Sequence, residues 1–255
     1  GLGTVYHAEI FGKREHKFDV LNENDINSVE WEKLDCPKPY YFFVPKDFKL
    51  EEEYNKGFGV DELFGHYNSG IQTKNDALAV HFEKDELEQV LQDFEQLDAG
   101  ELISKYQLKD TSGWSVENAL ASFEEGYQIT NIAYRPLDVR KSVLQSESGG
   151  FIGRSRFDTS QHFLKDNVGL LTSRSFPANQ NFDRVFVTKY PADLHAASDQ
   201  TYVFPLYLYS EDKKPFSVGE TGNIKTDRIP NLDLAICRNI ASLIGGTYYP
   251  VAEYP

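Results

Sequence analysis

The sequence predicts an α/β protein of mixed α and β segments, in which a mixed β-sheet follows a helical, acidic N-terminal half. Three observations carry this. Apolar residues recur at helical spacing between Asp85 and Glu125, and from Ile129 the pattern changes to short β-branched and aromatic runs separated by Gly, Pro, Asn and Asp. The acid excess sits in front of that change: residues 1–130 hold 12 Lys and Arg against 27 Asp and Glu, whereas residues 131–189 hold nine against five. With 255 residues, 40% of them hydrophobic and 14% aromatic, the chain has material for one large core or two modest ones.

In order along the chain, Val5 to Phe11 alternates like a strand and stops at Gly12, and Arg14 to Asn22 reads as a short helix. Tyr40 to Val44 is a compact aromatic run closed by Pro45, expected as a buried strand or extended core segment, since nothing basic interleaves its rings. The strongest helix is Asp85 to Leu97: Leu87, Val90, Leu91, Phe94 and Leu97 share one face, and Asp85 with Glu88 is placed to cap it. Helices are also expected over Ala99 to Leu108 and Ser115 to Glu125, with Gly113 between them and Gly126 as a stop. This acidic stretch, 83–126, reads as a spacer or packing layer.

Strands follow at Ile129 to Tyr134, Val168 to Thr172, Val185 to Thr188 and Tyr202 to Tyr209. Phe157 to Lys165 is expected as a short helix between two of them, and Leu232 to Ile244 as another, ended by Gly245-Gly246. There is no methionine, where ordinary usage gives about five in this length. The chain starts with Gly and closes on Tyr248 to Pro255 without a capping element, so it reads as a fragment. No apolar run of membrane-spanning length and no signal-peptide pattern occurs, and a cytoplasmic location is expected.

Catalytic patterns are missing. There is no GxSxG, HExxH, GxxxxGK[ST] or strand-borne GxGxxG, and the six histidines form no i, i+4 pair. Asp193-Leu194-His195 admits a metal or general-base role, but a local hydrogen-bonded turn is the simpler reading because no third group lies nearby in sequence. Asp183 to Lys189 lacks the second acid of a metal-dependent nuclease. Cys36 and Cys237 stand far apart and read as inert thiols. No catalytic, cofactor-binding or metal-ligating residue is assigned.

Several passages nevertheless fall into a recognisable order. Tyr67 to Asp76 resembles the YSSGIxTxRD passage of large adenine-specific DNA methyltransferases of restriction-modification systems, and Tyr134-Arg135-Pro136-Leu137-Asp138-Val139-Arg140 resembles their YRPFDxR. Gly169 to Arg174, Val185 to Thr188, Asp193 to His195 and Thr201 to Tyr209 are similar to the blocks GLITSR, VFVT, DxH and TYxFPLYLY. The nearest resemblance is to the type ISP enzymes, in which a methyltransferase domain precedes a C-terminal specificity domain. That resemblance implies that residues 1–58 are the tail of the methyltransferase domain with a connector, and that residues 59–255, spacer 83–126 included, form the target-recognition domain. It implies double-stranded DNA and the upstream methyltransferase domain as partners, and S-adenosylmethionine as a cofactor of the parent enzyme only. The Pro-Pro-aromatic loop that grips a flipped base is absent here, where Cys36-Pro37-Lys38-Pro39-Tyr40 is the nearest string. The alternatives are a self-contained metal-dependent nuclease and an interaction scaffold.

The DNA contacts are chosen on physical grounds. Arg forks suit guanine, and Asn or Gln suits adenine. The base-contact candidates are therefore Arg154 and Arg156 in a flexible glycine-rich loop, Ser173 and Arg174 at a strand end, and Asn179, Gln180 and Asn181 in the loop after it. Lys165, Lys189, Arg140 and Lys141 are the phosphate candidates.

Overall fold

The computed structural model describes residues 3–38, 40–175, 181, 183–197, 199–209 and 228–249. The chain divides into two compact units, Gly1–Phe58 and Gly59–Pro255.

In the first unit, β1 (Val5–His7) pairs antiparallel with β2 (Glu32–Leu34), and α1 (Arg14–Glu23) lies between them in sequence. The short helix α2 (Glu51–Tyr54) follows. None of the described residues up to 58 is buried. The Tyr40 to Val44 run is neither a strand nor buried, contrary to its pattern: Tyr40 and Phe43 are about two-thirds exposed, and Tyr41 takes a positive φ that breaks extended structure. The expected first strand stops at His7, four residues short of Phe11.

The second unit opens with α3 (Val60–Leu63), β3 (Asn68–Ser69) and α4 (Asp76–Ala79). Helix α5 (Lys84–Gln96) starts earlier than its sequence suggests, because the carboxylate of Glu86 accepts from the N–H of Glu83, while Glu88 pairs instead with Lys84. Helices α6 (Ala99–Tyr106) and α7 (Val116–Ala121) are capped by the side chains of Asp98 and Ser115. The long hairpin β4 (Gln128–Arg135) and β5 (Asp138–Leu144) lies against these helices. Leu87, Val90, Leu91, Phe94, Leu102, Trp114, Ile132, Val143, Leu144, Phe151 and Ile152 make one core. The acidic stretch is thus the packing layer of that core, with most of its charges turned outward and Asp93 buried against Lys105 and Tyr106.

After α8 (Phe157–Ser160) and a 3-10 turn at Gln161–Phe163 come β6 (Gly169–Ser173), β7 (Val185–Thr188), β8 (Thr201–Pro205) and β9 (Tyr207–Tyr209), then β10 (Arg228–Pro230) and α9 (Leu234–Leu243). The four-stranded sheet has the order β3-β8-β6-β7, all antiparallel. Parallel pairing occurs among the described residues as isolated bridges, Ile71 with Asp193 and Ala133 with Ala192. One sheet face packs Leu171 and Val203 against Ala133, Phe163, Ala192 and Ala196. The hairpin therefore divides two cores, with Ile132 facing the helices and Ala133 facing the sheet. Buried Asn231 clips the two ends of the unit together, accepting from the N–H of His66 and donating to the carbonyls of His66 and Pro205.

Candidate nucleic-acid interface

The passages singled out in the sequence converge in space. Asn68 and Ser69 pair with Val203 and Tyr202, the Gly169 to Ser173 strand pairs with both Thr201 to Pro205 and Val185 to Thr188, and Asp193 bridges to Ile71. Gly70 makes this approach possible: a Cβ there would stand 2.4 Å from the carbonyl oxygen of Asp193.

Charge locks the same junction. Arg135 Nη1 donates to Asp193 Oδ1 at 2.7 Å, and its Nη2 lies 3.6 Å from Asp76. Asp76 also accepts from Tyr134 Oη at 2.7 Å and from the hydroxyl of Thr73. Burial pushes the Asp193 carboxyl above the usual carboxylate range, opposed by the His195 N–H and by Arg135. Burial, followed by the bond to Asp76, raises the Tyr134 phenol. Asp193 Oδ1 accepts from the backbone of His195 at 2.8 Å, so Asp193-Leu194-His195 is the hydrogen-bonded turn. No group of three metal-capable side chains occurs among the described residues.

Strand register sorts the candidate contacts into two ends of the sheet. Ser173 lies opposite Thr201, Thr172 opposite Tyr202 and Val185, and Ser69 opposite Tyr202, so the loops leaving β3 and β6 and entering β7 and β8 share one end. Arg174, Asn181 and, through its bridge to Gln72, Arg154 belong to that end. Lys165 and Lys189 flank the opposite end, where Gly169 pairs with Thr188 and Pro205. The five-residue strand β6 separates these ends by about 14 Å.

Individually the candidates differ. Arg154 and Asn181 are exposed, whereas Asn179 and Gln180 lie outside the described residues. The loop carrying Arg154 is not flexible but anchored: Phe151 and Ile152 are buried, the Phe151 N–H donates to Ser122 Oγ, and the Ile152 N–H donates to Gln145 Oε1. Arg156 turns inward, with a positive φ ahead of α8 and a buried Nε that has no hydrogen-bond partner among the described residues. Ser173 is buried and its hydroxyl closes the turn to Ser175. Arg174 is exposed, lies 4.8 Å over the Tyr202 ring and is 3.8 Å from Asp61. Lys165 is half-buried, 5.4 Å from the Tyr209 ring. Lys141 Nζ donates to Asn131 at 2.8 Å. Arg140 is packed over Phe82 and Tyr134 and paired with Asp138 at 2.8 Å, which raises its pKa. Lys189 is exposed and makes no ion pair among the described residues.

Sequence reasoning missed exposed Lys74, held at positive φ beside Gly153, and the ring pair Tyr67 and Tyr202 beside Arg174. The alternation of Tyr202 with Phe204 on one strand face was the available signal for the latter.

The profile of the Type ISP C-terminal specificity domain matches residues 62–248. A search of curated protein sequences returns no match. Among solved structures, a cryo-EM structure of a DrdV–DNA complex is similar over 90% of this chain and 24% of its own, at 16% identity and a TM-score of 0.53. A nuclease-deletion mutant of the Type ISP restriction-modification enzyme LlaGI, in complex with a DNA substrate mimic, is similar over 94% of this chain and 20% of its own, at 16% identity and a TM-score of 0.51. The chain thus spans a quarter or less of the length of these two proteins, whose fold it shares over that part. Because the profile covers most of the chain, including every strand of the four-stranded sheet, this protein belongs to the Type ISP C-terminal specificity domain family.

Proposed function

We propose that this chain reads a specific sequence in double-stranded DNA on behalf of a Type ISP restriction-modification enzyme. The specificity-domain match over residues 62–248 carries the proposal. The DNA complexes that share the fold support it, as does the net positive charge of residues 131–189 in a chain of net charge −14. In this reading Arg154 and Arg174 contact bases from one end of the sheet, and Lys189 and Lys165 hold phosphate at the other.

The parent's adenine-N6 methylation, in the bacterial cytoplasm, belongs to an upstream domain that binds S-adenosylmethionine. In support of that placement, every strand ladder among the described residues is antiparallel, so none of them forms the parallel strand–helix crossover on which such a cofactor usually sits. The exposed Phe11, Phe18, Leu21 and Ile26 support the first unit's role as the tail of that domain.

Selection of bound duplexes from a randomised library tests the proposal. Enrichment of one short sequence, with affinity falling steeply as salt rises, is the expected result. Equal recovery of all sequences would refute sequence reading.

A further inference from the structure

The tip of the β4–β5 hairpin is built in a way that folding alone does not explain. Arg135 pairs with Asp138, which leaves the two-residue turn Pro136-Leu137. Leu137 adopts φ 62°, a conformation suited to Gly or Asn, and is 95% exposed. A branched apolar side chain is thus held in strained backbone with its surface in water, and both costs would vanish with glycine. Strain that persists in this way marks a working position.

The support beneath the tip is rigid. Arg135 is fastened to Asp193 and stacked 3.7 Å from the Tyr134 ring, and Arg140 is stacked on Phe82 at 4.0 Å and paired with Asp138. Backbone bonds tie Ala133 to Pro191 and Asp193, and Lys141 to His81. Leu137 and Lys189 line one cleft of about 310 Å³, so an exposed cation stands beside the apolar tip.

We propose that Leu137 is an apolar wedge that enters the base stack of duplex DNA, with Lys189 beside it on the backbone phosphate. This rests on the DNA-reading function proposed above. A single leucine and a proline at the end of a finger offer far less than the roughly 800 Å² per partner of a stable protein interface, but they match the small apolar side chains that unstack a base step.

The test uses duplexes of the enriched sequence carrying 2-aminopurine at successive positions. The wild type should raise fluorescence at one step, and Leu137→Phe, which keeps an apolar tip, should do the same. Leu137→Gly, which fits the backbone without strain, should lose the rise and bind the intact duplex about 10-fold or more weakly. A duplex with an abasic gap at that step should restore Leu137→Gly to within about twofold of the wild type, because the unstacking is already done. Equal affinity and fluorescence for wild type and Leu137→Gly would overturn the wedge. Wild-type binding without unstacking at any position would also overturn it and leave the tip to a protein contact. Absence of duplex binding by the wild type would instead remove the DNA-reading function, and the wedge with it.

Discussion

A methyl group on residue 70 has nowhere to go, because the atoms it would meet are backbone atoms of Asp193 and Leu194 rather than flexible side-chain ends. Gly70→Ala should therefore cost about 1–3 kcal/mol in chemical denaturation through forced separation of β3 from the Asp193 turn. Buried His162 accepts from the Tyr209 N–H at 3.1 Å through Nδ1, and burial followed by nearby His66 depresses its pKa to about 4 from 6.5. The unfolded chain thus takes up the proton first as pH falls, and the contribution of this histidine is complete above 6.5 and lost between 6.5 and about 4. It amounts to at most about 3 kcal/mol. Asp193 acts the opposite way: its raised pKa makes its contribution worsen as pH rises from 3.8 through the folded value. Thermal melts between pH 7 and 4 should show a fall in stability that flattens in His162→Gln. At this scale the sequence identified Arg135, Asp193 and Gly70 within motifs but not their contact, since Arg135 and Asp193 are 58 residues apart and no local periodicity encodes the pair.

The elements were legible where one face is apolar over several turns or alternations. Helix α5, the paired strands β6 and β7 and helix α9 lie within two residues of their sequence patterns, because their apolar residues keep the period of the element they form. The Tyr202 to Tyr209 run divides at Leu206 into strands of two sheets, with β9 paired to β10. Strand β5 escaped notice because Asp138, Arg140 and Lys141 obscure its alternation, although Asp138 and Arg140 pair with each other and Lys141 donates to the Asn131 side chain. Phe151, in a segment that reads as a flexible loop, joins Phe94 and Phe123 edge-on at 5.1 and 5.4 Å. Phe151→Ala should accordingly cost about 3–5 kcal/mol in urea denaturation, as a core position does and a loop position does not. An effect below about 1 kcal/mol would show that this segment is not part of the core.

For the whole molecule, composition alone points away from nucleic acid, and only the distribution of charge along the chain reverses that reading. Arg154 and Lys189, at opposite ends of the sheet, share no partner, so Arg154→Ala and Lys189→Ala should weaken duplex binding independently. Lys189→Ala should flatten the salt slope by about one unit for every sequence, and Arg154→Ala should in addition relax the choice of base at one position. Titrations of both variants and the double variant at several salt concentrations check this.

The strand order carries a consequence for how the chain comes off the ribosome. β3 is the first strand of the specificity unit to be made, yet its partner β8 begins 133 residues after Asn68. At about 5–20 residues per second, β3 waits for on the order of 10 s before its neighbour exists. During that interval the helical core of α5 to α7 with the β4–β5 hairpin, built from closer contacts, can already assemble. The closure of β8 between β3 and β6 is then a late step, followed by the pairing of β9 with β10 and the Asn231 clip. A truncation between Thr188 and Thr201 should leave a helical intermediate in which the edges of β3 and β6 that face β8 are open, prone to self-association rather than to simple unfolding.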